Sequence, residues 1–254
     1  MPVRSLRLEY AETSLVGGRH DNQDRCALAV SPHAALLVVV DGMGGHAEGA
    51  LAAATACDAL VAAFWKTPQP FFDPLGFLHL TLGHAHQAVN RLGEAMPLEQ
   101  RPRATVAVAL VQGDSVYWAH VGDSRVYLLR RNRIVERTRD HSHVEYLIRE
   151  GVITEDQALS HPMRNYVECC LGGEYLLPEM SHSGRRRLQA GDMLLLCSDG
   201  LWGPLDDTAI AGAWTGRDEP LGIALDTLAQ RAIVAGGPLA DNTTGVVLRW
   251  LGPG

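Results

Sequence analysis

Through the first forty residues, apolar positions come in short bursts broken by polar turns. Residues 10–18 and 25–30 read as strands on either side of the turn RHDNQD, and 34–40 as a third strand too apolar to face water on either side. The pattern then lengthens. Residues 46–65 read as an alanine-rich helix, stopped by prolines 68, 70 and 74, and 75–95 as a second helix. Strand signals return at 104–111, 115–121, 125–129 and 133–137, joined by QGD, GDS and RRN, an antiparallel meander. Short helices follow at 143–150 and 154–159, strands near 176–183 and 192–197, helices at 206–214 and 220–235, and a closing strand at 243–250. Antiparallel runs with helices set apart in pairs predict an α+β fold: two stacked antiparallel sheets, a β-sandwich, with helices outside. No repeat or long linker divides the chain, so residues 1–254 are expected to form a single domain.

Composition narrows the function more than the fold. The 254 residues carry a net charge of −7, which argues against a protein that lives on nucleic-acid phosphates. Basic residues cluster in LRRNRIVERTR (129–139) and GRRRL (184–188), read either as solvated hairpins or as a docking patch. Lys66 is the one lysine, which excludes a phosphate loop of the GKS type. Five cysteines without a CxxC pair read as free thiols in a reducing compartment. The N-terminus has no apolar leader and the longest apolar run, AALLVVV, is far short of a membrane span, so the expected location is cytoplasmic, with no membrane partner.

The candidate chemistry sits at strand ends. LLVVVDG ends in Asp41, YWAHVGDS in Asp123 and MLLLCSDG in Asp199, while LADNTTGVVL opens with Asp241. One such aspartate is a turn former or cap; four at strand termini suggest a shared cleft, where carboxylates stay ionised together only with cations. Hard oxygen donors without a matching His or Cys set point to Mg²⁺ or Mn²⁺, and Gly42 offers a bare carbonyl as a further ligand.

RHDNQDR (19–25), DGMGGH (41–46), GDSR (122–125), TRDHS (138–142), SHPMRN (160–165), SDGLW (198–202) and DNTTGVV (241–247) resemble, in order, the motifs of the metal-dependent type 2C serine/threonine protein phosphatases, the bacterial branch above all. The resemblance covers about residues 14–249. It implies a β-sandwich flanked by helices, and hydrolysis of phosphoserine and phosphothreonine in proteins by a hydroxide bridging two Mn²⁺ or Mg²⁺ ions, opposing a serine/threonine kinase. By the same resemblance Asp41 bridges the core ions, the Gly42 carbonyl completes one, and Asp199 and Asp241 hold the other. Arg19 binds the substrate phosphate, where a guanidinium matches phosphate oxygens. Asp123, sharing Asp199, holds a third, weaker ion. Gln23, Asp24 and Asn242 stand behind the ligands, and residues 140–170 form a mobile flap.

Two departures stand out. Gln23 replaces the glutamate of most relatives, removing a negative charge, and Met43 replaces the histidine of many eukaryotic ones, removing a proton donor. His161 in the flap is a candidate contact to substrate or water. His46 is a helix cap or a residue behind the ligands, while His84-x-His86 and His141-x-His143 read as structural or surface residues. Trp202 is expected to pack under the metal loop. Two rival functions are weighed: a catalytically weak, metal-gated binding protein, against which the intact aspartates and Arg19 argue, and a two-metal nuclease or nucleotide hydrolase, against which the net charge and the lack of a basic or aromatic groove argue.

Overall fold

The computed structural model describes residues 6–43, 47–158, 160–214 and 219–253; His46, with Gly44 and Gly45, lies outside them. Twelve strands are described: β1 (Leu6–Leu15), β2 (Asp24–Val30), β3 (Ala34–Met43), β4 (Arg103–Gln112), β5 (Ser115–Val121), β6 (Arg125–Arg130), β7 (Arg133–Arg137), β8 (Leu171–Gly172), β9 (Ser181–His182), β10 (Arg186–Arg187), β11 (Met193–Cys197) and β12 (Thr243–Pro253). The helices are α1 (Ala47–Lys66), α2 (Pro74–Leu92), α3 (His143–Arg149), α4 (Glu155–Ala158), α5 (Asp199–Trp202), α6 (Asp207–Gly212) and α7 (Leu221–Gly236).

All the pairings are antiparallel. One sheet runs β1-β12-β11-β6-β7. The other runs β10-β5-β4-β3-β2, with β8 on β4 and β9 on β5. The alternation of side chains explains why β3 is apolar throughout. Ala35, Leu37 and Val39 face the opposing sheet, meeting Val126, Leu194, Leu196, Val246 and Leu248. Leu36, Val38 and Val40 face outward onto α1 and α2, among Ala52, Ala56, Leu60 and Leu82. On the far side Tyr127, Leu195 and Val247 lie under α5, α6 and α7 with Ile210, Leu225 and Leu228. The layers are therefore helix, sheet, sheet, helix. Each fully buried Val or Leu contributes about 1.5–3 kcal/mol, so this central strand is well anchored when it delivers a carboxylate at its end.

Helix α1 is long and apolar enough to cross a membrane by length and composition. The expectation of no such segment rested on an unbroken apolar run, whereas α1 reaches the threshold through alanines. Ala52, Ala53 and Ala56 are small enough to seat it on the sheet. All five cysteines are free thiols.

Three local readings need correction. The strand expected near 176–183 is reduced to β9, because Pro178 withdraws a ladder donor and Tyr175, Leu176 and Leu177 stay exposed. The first strand ends at Leu15, since Gly17 turns the chain at φ +67°. Helix α5 was not foreseen; at four residues it is too short to show a period.

Candidate active site

Register brings the strand-end aspartates together. Asp24 pairs with Asp41 across β2 and β3, and Asp41 with Thr105 across β3 and β4. Val106 pairs with Val121, which sets Asp123 just past the same end. In the other sheet Cys197 pairs with both Arg125 and Gly245, so Asp199 and the approach to β12 at Asp241 emerge at that end too. Asp41, Asp123, Asp199 and Asp241 thus gather at one mouth of the sandwich, joined by Asp24.

Asp24 and Asp123 are buried, whereas Asp41 and Asp199 are deep but keep a strip open to solvent. Burial, followed by the charges of Asp24, Asp199, Asp123 and Asp241, pushes the Asp41 carboxyl well above the usual carboxylate range. Asp123 is raised by burial, then by Asp199 and Asp140. Burial lifts Asp24 to about 7 against hydrogen bonds from Ser198 and Thr244, with Asp199 and Asp241 adding repulsion. Burial and then Asp241 lift Asp199 to about 6. Each group resists ionising first because it is buried and then because its neighbours are carboxylates.

The donor chemistry fits a hard divalent cation: oxygen only, several acids, and a buried Asp24 Oδ1 with no hydrogen-bond partner. The cage is not closed, however. Among the described residues no three His, Cys, Asp or Glu side chains are grouped so as to hold an ion. Arg19 reaches in instead, its Nη2 2.6 Å from Asp241 Oδ2, with its side chain more than half exposed.

The backbone around these acids is tightly laced. Asn242 Oδ1 accepts from the Gln23 amide at 2.8 Å, and its Nδ2 donates to the carbonyls of Val16 and Asp21 at 2.8 and 2.9 Å. This side chain ties the loop bearing Arg19 and Gln23 to the loop bearing Asp241. Ser198 donates to Asp24 Oδ2 at 2.7 Å and accepts from the Thr244 amide at 3.1 Å, linking the two sheets. Gly42 answers to packing: a Cβ there would collide with the carbonyls of Gly49 on α1 and of Gln23. The Gln23 side chain lies against Gly49, leaving no room for a Cβ there either.

The outlying candidates divide. His86 is buried, accepting from the Gly172 amide at 3.1 Å and bonded to Asn90 at 2.9 Å, hence structural. His141 accepts from the Gly122 amide at 3.2 Å, and His143 pairs with Glu168 at 3.2 Å. His161 Nδ1 accepts from the Met163 amide at 3.2 Å, which makes it a local turn element in this conformation. Trp202 does lie under the loop, its Nε1 donating to the Asp123 carbonyl at 3.0 Å. The basic clusters are largely paired: Arg186 with Glu136, Arg185 and Arg187 with Asp114, Arg130 with Asp192. Sequence reasoning missed Ser198, Arg125 and Asp140. A serine just before Asp-Gly at a strand end was the available signal for the first.

Comparison with known proteins fits this geometry. Residues 16–217 match the family described as protein phosphatase 2C. The serine/threonine protein phosphatase PstP of Mycobacterium tuberculosis is 35% identical over 244 residues, 96% of this chain but 45% of PstP, so the chain spans about half the length of that relative. Protein phosphatase PhpP of Streptococcus pneumoniae is 31% identical over 214 residues, 82% of this chain and 83% of PhpP. The S. agalactiae serine/threonine phosphatase structure superposes with a TM-score of 0.88 at 27% identity, covering 96% of this chain and 100% of that one. The catalytic domain of PstP in complex with two manganese ions gives 0.80 at 32% identity, covering 96% and 99%. With four-fifths of its length matched, and with this fold, the chain belongs to the protein phosphatase 2C family.

Proposed function

We propose that the chain is a cation-dependent phosphoprotein phosphatase acting on phosphoserine and phosphothreonine, with residues 1–254 forming one catalytic domain. The observation that carries the reading is the gathering of Asp24, Asp41, Asp123, Asp199 and Asp241 at one mouth of the sandwich, with Arg19 reaching over them. Asp41, the Gly42 carbonyl, Asp199 and Asp241 would hold two Mn²⁺ or Mg²⁺ ions, and Asp123 with Asp199 a third. Bound there, such ions supply Lewis acidity toward phosphoryl oxygens and acidify water.

The chain's own residues do the rest. Arg19 leaves Asp241 for the substrate phosphate, where its fork neutralises two oxygens at once. Asn242 holds the Arg19 loop and the Asp241 loop in fixed relation, so arginine and carboxylates address the same phosphate. With cations bound, Asp24, bonded to Ser198, would carry negative charge behind the ligands. Met43 donates no proton, so protonation of the departing alkoxide falls to another group. The partners are phosphoproteins phosphorylated by a cognate serine/threonine kinase, and the setting is cytoplasmic, in keeping with five free thiols.

The test is phosphate release from a phosphothreonine peptide by metal-stripped protein, in chelator and then with Mn²⁺. Turnover only with Mn²⁺, lost in Asp41→Asn, supports the reading. Full turnover in chelator overturns it, as does cation-dependent cleavage of nucleic acid in place of the peptide.

A further inference from the structure

The central strands of the β1-β12-β11-β6-β7 sheet also come together at the pole opposite the aspartates. Met193 of β11 pairs with both Leu129 of β6 and Arg249 of β12. That is four residues from the Cys197 pairings, or about 13 Å along the strands. Between these strand ends, the β6–β7 turn and the loop before β11 lies a cavity of about 330 Å³. Leu129, Met193 and Trp214 supply its apolar lining, and Arg130, Arg131, Asn132 and Arg249 its polar one. This is room for a small metabolite, at the lower end of the range for ligand pockets.

Among the described residues the lining has one carboxylate, Asp192, and it is already engaged. Its Oδ1 accepts from Arg130 Nε at 2.7 Å, and Oδ2 accepts from Arg130 Nη2 and from the Gln189 amide, both at 2.7 Å. Arg249 Nη1 donates to Glu9 at 2.7 Å. Arg131 is exposed and has no carboxylate partner among the described residues. It stands at φ +51°, followed by Asn132 at φ +59°, a left-handed turn that glycine or asparagine makes more easily than arginine. Trp214 is 6% exposed, and its Nε1, which can only donate, is buried without a hydrogen-bond partner. A buried donor left unanswered destabilises the fold, and an acceptor that reaches it recovers that loss. In a chain of net charge −7, three guanidiniums and a free indole N–H around one engaged carboxylate form a complement to an anion.

We propose that this cavity binds a small organic oxyanion, a phosphate monoester or a carboxylate, held chiefly by Arg131 and accepting from the Trp214 indole N–H. The charge of Arg131 is free for a ligand, whereas those of Arg130 and Arg249 are shared with Asp192 and Glu9. Leu129 and Met193 beside the guanidiniums suit an anion with an organic body. The site is distinct from the aspartate mouth, since the two lie at opposite ends of the same strands.

The experiment follows the indole N–H signals of ¹⁵N-labelled, metal-stripped protein by NMR, in chelator-free buffer, during titration with AMP, succinate or adenosine. The Trp214 signal is assigned from Trp214→Phe, or from through-bond spectra if that variant does not fold. AMP or succinate should move that signal saturably, identifying the phosphate or the carboxylate class, while uncharged adenosine leaves it in place. Arg131→Asn, which suits the left-handed turn, should weaken the binding about ten-fold, the scale of one charge-assisted hydrogen bond. A Trp214 signal that neither anion moves, or that adenosine moves as far as AMP, overturns the proposal. Unchanged affinity in Arg131→Asn also overturns it, as does loss of the shift in Arg19→Gln, which would place the anion at the aspartate mouth.

Discussion

Replacing Asp24 by asparagine should stabilise the metal-free protein while impairing the metal-loaded one. Asp24 is 2% exposed and its carboxyl is raised from 3.8 to about 7, by burial before anything else. A carboxyl raised on folding favours the folded state while it keeps its proton. That advantage is complete below 3.8, shrinks as pH climbs, and is gone above about 7. At roughly 1.4 kcal/mol per pH unit, holding the buried charge costs about 4 kcal/mol at pH 8, of which about 3 develops between pH 5 and pH 8. Asparagine keeps an oxygen for Ser198 and carries no charge. The buried histidines, His120 among them with its pKa lowered to about 4, shift stability the other way with pH, but they are common to both proteins and cancel. In chelator, Asp24→Asn should therefore gain on the wild type by about 3 kcal/mol more at pH 8 than at pH 5. For a chain of this size that is roughly 6–12 °C in Tm. Thermal melts in EDTA at the two pH values read it directly. A variant advantage that is flat with pH, or a variant less stable than wild type at pH 8, would refute the claim that burial makes Asp24 resist ionisation.

Gly42→Ala should destabilise the fold by about 3 kcal/mol, because its Cβ meets the Gly49 and Gln23 carbonyls, neither of which is free to move; chemical denaturation gives the number. Gln23→Glu should lower the Mn²⁺ concentration for half activity with little change in kcat at saturation, and an altered kcat with unchanged metal dependence would contradict it. Asp123→Asn should slow a phosphothreonine peptide on the order of ten-fold more than an aryl phosphate, since the alkoxide needs a proton and the phenolate does not. His161→Ala is the control: if it reproduces that selective loss alone, the proton comes from the flap at residues 140–170 and not from the Asp123 side.

The layered fold was legible because strands such as β3 are apolar on both faces, a pattern that demands cover on each side. The gathering of the four aspartates was legible for a related reason: a carboxylate closing such a strand is conspicuous. What escaped was whatever depends on contacts between distant segments. From the residues alone Asp24 reads as part of a polar turn, and only the resemblance set it behind the ligands; its burial appears when β2 pairs with β3. Arg125 and Asp140 are fifteen residues apart in polar motifs, and nothing local announces a stacked, bidentate pair. Pro178 was visible, but the apolar residues beside it outweighed it in the strand reading.

The central claim is that the strand-end aspartates form a cation site, and anomalous diffraction at the manganese edge from crystals grown with Mn²⁺ tests it most directly. Two strong peaks about 3.5–4 Å apart are expected among Asp41, the Gly42 carbonyl, Asp199 and Asp241, with a weaker third beside Asp123. Manganese bound only elsewhere on the protein, with this mouth empty at saturating concentration, would contradict the account.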